Sequence, residues 1–162
     1  MATFNEQMAI IRKHQAQPPV DLIAIARDLG LSIFRARGWQ DDLSGLIKAD
    51  PKNPDHYNIY VNAIHHERRR RFTIAHEMAH FILHRELIGD GIADDALYRS
   101  RLSNKIEAEA NRLAADILMP LHLINPLIDK GISDIQNLAE RFNVSASAMS
   151  IRLGVPYEAT AV

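Results

Sequence analysis

Hydrophobic positions along the chain recur with two different periods. Phe4, Met8 and Ile11, with Ala9 beside them, have the spacing of a short amphipathic helix that Gln17-Pro18-Pro19 ends. Val20 to Leu29 repeats the pattern with Leu22, Ile23, Ile25, Ala26 and Leu29, and Gly30 is suited to a left-handed helix end. The period then drops to two. Leu31 to Phe34 predicts a strand, the Gly38–Asp42 segment a turn, Leu43 to Ala49 a second strand and Asn58 to Asn62 a third. Asp50 to Asp55 is punctuated as a loop by its two prolines and its Asp and Asn residues.

Helical spacing returns at Arg71–His84, where Phe72, Ala75, Ala79, Ile82 and Leu83 form an apolar stripe. Gly89 to Arg101 is acidic and glycine-punctuated, and predicts an irregular connection of the sort that borders a substrate cleft. Another helix follows from about Ser103 to Met119, stopped by Pro120. Its buried arc is Ile106, Ala110, Leu113, Ala114, Ile117 and Leu118. Near the end, Leu138 and Phe142 precede Asn143-Val144-Ser145, and Met149 and Leu153 follow. Asn143 suits a left-handed turn and Ser145 an N-cap.

These elements predict an α+β fold, a small three-stranded sheet packed on helices, with a C-terminal helix-turn-helix-like helical unit. The 162 residues fit one domain, 1–162, with a core over about 20–125 and a C-terminal helical subdomain over about 126–155.

Composition narrows the chemistry. A formal net charge of −1 gives no global case for nucleic acid or an anionic membrane. The absence of cysteine removes disulfides and thiolate metal sites, leaving histidine and carboxylate as ligands. Neither a leader-like apolar region nor a membrane-length segment is present, so the expected location is the cytoplasm. Arg68 to Arg71 form a local cationic run, read as solvated first-turn side chains, some paired with carboxylates. The terminal helical unit carries Asp134, Glu140, Arg141 and Arg152, which sum to zero charge. It suits packing or partner docking better than direct DNA binding.

The chemistry concentrates in His76-Glu77-Met78-Ala79-His80. On a helix, residues four apart share a face, so two imidazoles can converge on one Zn²⁺ while Glu77 flanks it as a general base. Two histidines and a glutamate on a buried helix are costly without partners, and a metal supplies one. His84 lies about 12 Å along the axis from His76, too far to share an ion with it. A metzincin would have Gly at 83 and His at 86, where this chain has Leu83 and Glu86.

The third ligand therefore comes from elsewhere. Glu107 falls inside the apolar arc of its helix and Glu109 at its edge. A carboxylate inside an apolar face needs a compensating cation, so Glu107 is the expected ligand and Glu109 the alternative. Asn111, four residues on, is placed to hold a ligand histidine by its second nitrogen. For oxyanion or substrate contacts, His84, Tyr98 and His122 remain open.

Asn62, the Arg70–His80 segment, and Glu107-x-x-x-Asn111-x-Leu113-Ala114-Ala115-x-x-Leu118-Met119-Pro120 together resemble the ImmA/IrrE family of zinc metallopeptidases. The resemblance runs over about residues 20–155, and Leu113 stands where the family more often has Phe. It implies a gluzincin-like site: two helix histidines, a glutamate from a later helix, and an Asp or Asn four residues after that glutamate. It also implies one zinc per chain and regulatory cleavage of a helix-turn-helix repressor in stress response or mobile-element control. The competing class is a non-catalytic partner- or DNA-binding regulator stabilised by zinc. Intact Glu77 argues against it, because a structural site needs no base there.

Overall fold

Strands and helices follow in the order the periods predict, with a fourth strand, a single 3-10 turn after His84 and a short helix after Pro120 added. The structure, a computed structural model, describes residues 2–95 and 103–156. Two N-terminal helices, α1 (Phe4–Lys13) and α2 (Leu22–Leu29), lead into β1 (Leu31–Ala36), β2 (Leu43–Asp50) and β3 (Asn53–Asn62). Asp21 caps α2 by accepting from the Ala24 amide, and Gly30 ends it at φ 79°, a conformation that glycine adopts without steric cost.

β3 begins five residues earlier than Asn58, inside the stretch expected to be a loop, and the turn before it is reduced to Pro51 and Lys52. The Asp50 side chain accepts from the Lys52 amide at 2.7 Å, and a register shift at Ala49/Asp50 absorbs the tight reversal. A fourth strand, β4 (Ile92–Asp95), lies in the stretch expected to be irregular. It pairs antiparallel with the free edge of β2, so the sheet has four strands rather than three. Two of its four residues are acidic, and no apolar alternation announces it; β2 supplies its hydrogen-bonding partner from across the fold.

The sheet order is β1-β3-β2-β4, with β1 parallel to β3 and the other pairs antiparallel. One long helix, α3 (Glu67–Leu83), packs between this sheet and α4 (Asn104–Leu118). Every residue of α3 from Thr73 to Phe81 is buried. The expected apolar stripe is therefore only part of the story: a helix covered by β2 and β3 on one side and α4 on the other has no wet face in its centre.

Three of the four arginines before that centre, Arg69 to Arg71, are held rather than solvated. Arg70 donates to the His65 carbonyl at 2.6 Å, and Arg71 donates to those of Val20 and Asn143. Arg69 approaches the Ser44 hydroxyl at 3.4 Å. Burial pulls the Arg71 guanidinium below its ordinary pKa. Asn62, fully buried, donates to Gln40 and Leu43 carbonyls and so clamps the β1–β2 connection to the end of β3.

Three shorter helices complete the chain: α5 (Leu121–Asp129), α6 (Ile135–Phe142) and α7 (Ala146–Leu153). Asn143 joins the last two at φ 52°, and Ser145 caps α7 through the Ala148 amide. Leu138, Phe142 and Met149 run into the same core as α3 and α4. Among the described residues no helix is long and apolar enough to cross a membrane.

Candidate metal centre

His76 and His80 lie one turn apart on α3, and α4 crosses so that Glu107, in its first turns, meets both. His76 Nε2 is 3.1 Å from Glu107 Oε2, His80 Nε2 is 3.0 Å from Glu107 Oε1, and the two Nε2 atoms are 3.1 Å apart. All three residues are buried. These edges approach the spacing of roughly 3.3 Å between tetrahedral ligands bound at about 2.0–2.1 Å.

The protonation pattern is set from behind. His76 donates its Nδ1 proton to Asn111 Oδ1 at 2.8 Å, so the neutral ring turns the Nε2 lone pair toward Glu107. His80 Nδ1 lies 3.0 Å from Nδ1 of His84. When that proton is donated to His84, the second Nε2 lone pair faces the same point. Burial, reinforced by neighbouring His80, holds the His84 imidazole below its usual pKa, which suits an acceptor. Burial alone would push the Glu107 carboxyl up; its hydrogen bonds with His76 and His80 outweigh that and hold it well below the usual carboxylate range. Three electron-pair donors this close need a cation among them. A proton serves one contact at a time, whereas a metal ion serves all three, so the residues present fit a metal ion.

Glu77 is fully buried on the adjoining face of α3. Its side chain lies against Gly45 of β2, where an added Cβ would stand 3.2 Å from Glu77 Oε1 and only 2.5 Å from Thr73 Cγ2. Gly45 therefore lets α3 approach the sheet. Sequence reading passed over it, although an isolated glycine within a strand pattern signals close approach of another element.

The remaining candidates fall elsewhere. Glu109 is outside the cluster, 3.8 Å from His84 Nε2 and 41% exposed at its side chain. His84 sits behind His80, its Nδ1 3.0 Å from Nδ1 of that ring, and outside the cluster. His122 is exposed and donates to the Gln15 carbonyl at 2.9 Å, which makes it a clasp between α5 and the segment after α1. Tyr98 lies outside the described residues.

Comparison with known proteins agrees with the geometry. The family described as the IrrE N-terminal-like domain, a peptidase family, matches residues 26–154. The radiation response metalloprotease IrrE of Deinococcus radiodurans is 36% identical over 122 residues, covering 71% of this chain and 34% of that protein. The metallopeptidase ImmA of Bacillus subtilis is 28% identical over 112 residues, covering 68% of this chain and 62% of that protein. The chain thus spans about a third of the length of the first relative and under two thirds of the second. A Mycobacterium tuberculosis transcriptional regulator shares the fold, with a TM-score of 0.60 at 19% identity over 92% of this chain and 46% of that one. With most of its length matched and three convergent donors in place, this chain belongs to the IrrE N-terminal-like peptidase family.

Proposed function

We propose that the chain is a zinc-dependent metalloendopeptidase of the cytoplasm that cuts a protein substrate, a helix-turn-helix repressor, at a limited site. The observation that carries this reading is the convergence of His76, His80 and Glu107 beside a fully buried Glu77 on the same helix. A donor set of two imidazoles and one carboxylate, with no thiolate, suits one zinc ion and leaves a position open to substrate. Zinc held there supplies Lewis acidity to a peptide carbonyl and makes nearby water acidic enough to lose a proton around neutral pH.

The protein's own residues do the rest. Asn111 and His84 orient the two ligand rings through their Nδ1 atoms. Glu77, one residue beyond His76, takes the proton from the attacking water on its carboxylate and returns it to the leaving amine nitrogen. Gly45 keeps the space beside that carboxylate clear of a side chain.

The test is incubation of the wild type and Glu77→Gln with the product of the adjoining reading frame. Glu77→Gln should bind zinc stoichiometrically and lose at least about 100-fold in cleavage. Normal cleavage by that variant overturns the mechanism. Tight binding without cleavage by either zinc-loaded form overturns the peptidase reading.

A further inference from the structure

A groove of about 910 Å³ runs between the start of α3, the outer face of α4 and the start of α7. Phe72, Ala115, Met119 and Val144 contribute to its apolar lining, and Ile151 stands at its wall 78% exposed. Its charged lining is of one sign: Arg68, Arg69, Arg112 and Arg152, with no Asp or Glu. Arg152 is paired with Asp116, whereas neither Arg68 nor Arg112 makes an ion pair among the described residues. Asn111 lines the groove too, with its Oδ1 on His76, so the groove and the metal centre share a side chain.

We propose that this groove docks one amphipathic helix of a partner protein, apolar on one side and carrying Asp or Glu along its flanks. The volume matches about two turns of a helix some 10 Å across. Small side chains at Ala115, Ala146 and Ala148 let a helical backbone come close, and the arginines at the rim select acidic flanks. Single-stranded nucleic acid would want a run of stacking faces, and the lining offers only the Phe72 ring and the His66 imidazole. Helix α1 of a second copy fits poorly, since it ends in Arg12 and Lys13 and exposes only Phe4 among its large apolar side chains. On the peptidase reading the helix belongs to the substrate, held beside the centre that cuts it. Docking rests on that reading only for who supplies the helix.

The experiment uses the whole chain carrying Glu77→Gln, so that binding is read without turnover. A labelled synthetic helix of about 15 residues, with leucine on one face and glutamate on the flanks, is titrated by fluorescence anisotropy. Its lysine counterpart, a thymine oligonucleotide and sedimentation of the chain alone serve as comparisons. The glutamate helix should bind at least about tenfold more tightly than the lysine helix. Arg68→Glu with Arg112→Glu should weaken it about tenfold and reverse the preference, with zinc content unchanged. Ile151→Asp should weaken both helices. Equal binding of both helices, no binding, or no response to the arginine changes overturns the proposal. So does displacement of the helix by the oligonucleotide, or self-association that Ile151→Asp abolishes. Loss of the peptidase reading would leave these binding results standing, so the two failures are distinguishable.

Discussion

Asn111 Oδ1 accepts the Nδ1 proton of His76 at 2.8 Å, a contact that decides which nitrogen of the ring faces Glu107. Removing the acceptor in Asn111→Ala frees the ring to rotate and change tautomer. Metal affinity, measured by competition with a chelator of known strength, should fall about 10- to 100-fold. Asn111→Asp keeps an acceptor at the same place and should recover most of it. Equal loss in both variants would mean that Asn111 acts through packing rather than through this bond.

The three carboxyl and imidazole groups near His80 should separate in a metal-content assay. Glu107→Ala should leave the chain largely metal-free, since it removes a donor 3.0–3.1 Å from both imidazoles. Glu109→Ala, whose carboxylate is 3.8 Å from His84 and outside the cluster, should retain the ion. His84→Ala should lie between them, weakening affinity about tenfold by releasing His80 Nδ1. The reverse order for the two glutamates would move the third ligand to Glu109.

Gly45→Ala should destabilise the fold by about 1–3 kcal/mol, because the new methyl meets Thr73 Cγ2 at 2.5 Å between packed elements. Thr73→Ser deletes that methyl and should recover part of the loss in the double variant, read from urea unfolding midpoints. Additive destabilisation would show that the clash lies elsewhere.

Much of this architecture is legible in sequence because it is local. A step of four residues on a helix fixes His76 over His80, and an apolar arc with one acid in it singles out Glu107 over Glu109. What stays hidden depends on partners distant in the chain. Ile92–Asp95 has no strand pattern of its own and exists as β4 because β2 has an edge to offer. Arg70 and Arg71 look solvated until the carbonyls of His65, Val20 and Asn143 arrive beside them. His84 stays open in sequence as one of three candidates for an oxyanion or substrate contact, because periodicity gives only its height on the helix. The helix ends at Leu83, and that lets its ring turn back on His80.

Stability should also respond to pH through Asp50. The Lys52 amide, then the Asn58 side-chain amide, hold its carboxyl below the usual range. A depressed folded-state pKa contributes stability above the unfolded value of about 3.9 and loses it as pH falls through the folded value. The stability gap between wild type and Asp50→Asn should therefore be widest near neutral pH and close under acid. A gap that stays constant from pH 7 downward would show that the charge has no part in holding the β2–β3 turn.

The burial of α3 from Thr73 to Phe81 divides the centre into two unequal histories of change. Its two histidines ride on an element where almost any new side chain must displace sheet or helix. Glu107 rides on a helix whose Ala108 and Arg112 stand in water. In a saturation scan scored by folding alone, α3 should reject nearly everything across that span, while α4 should tolerate change at every outward position. Variation among relatives that tunes metal affinity or substrate preference then has to enter from the α4 side, leaving α3 the fixed jaw against which the other is adjusted.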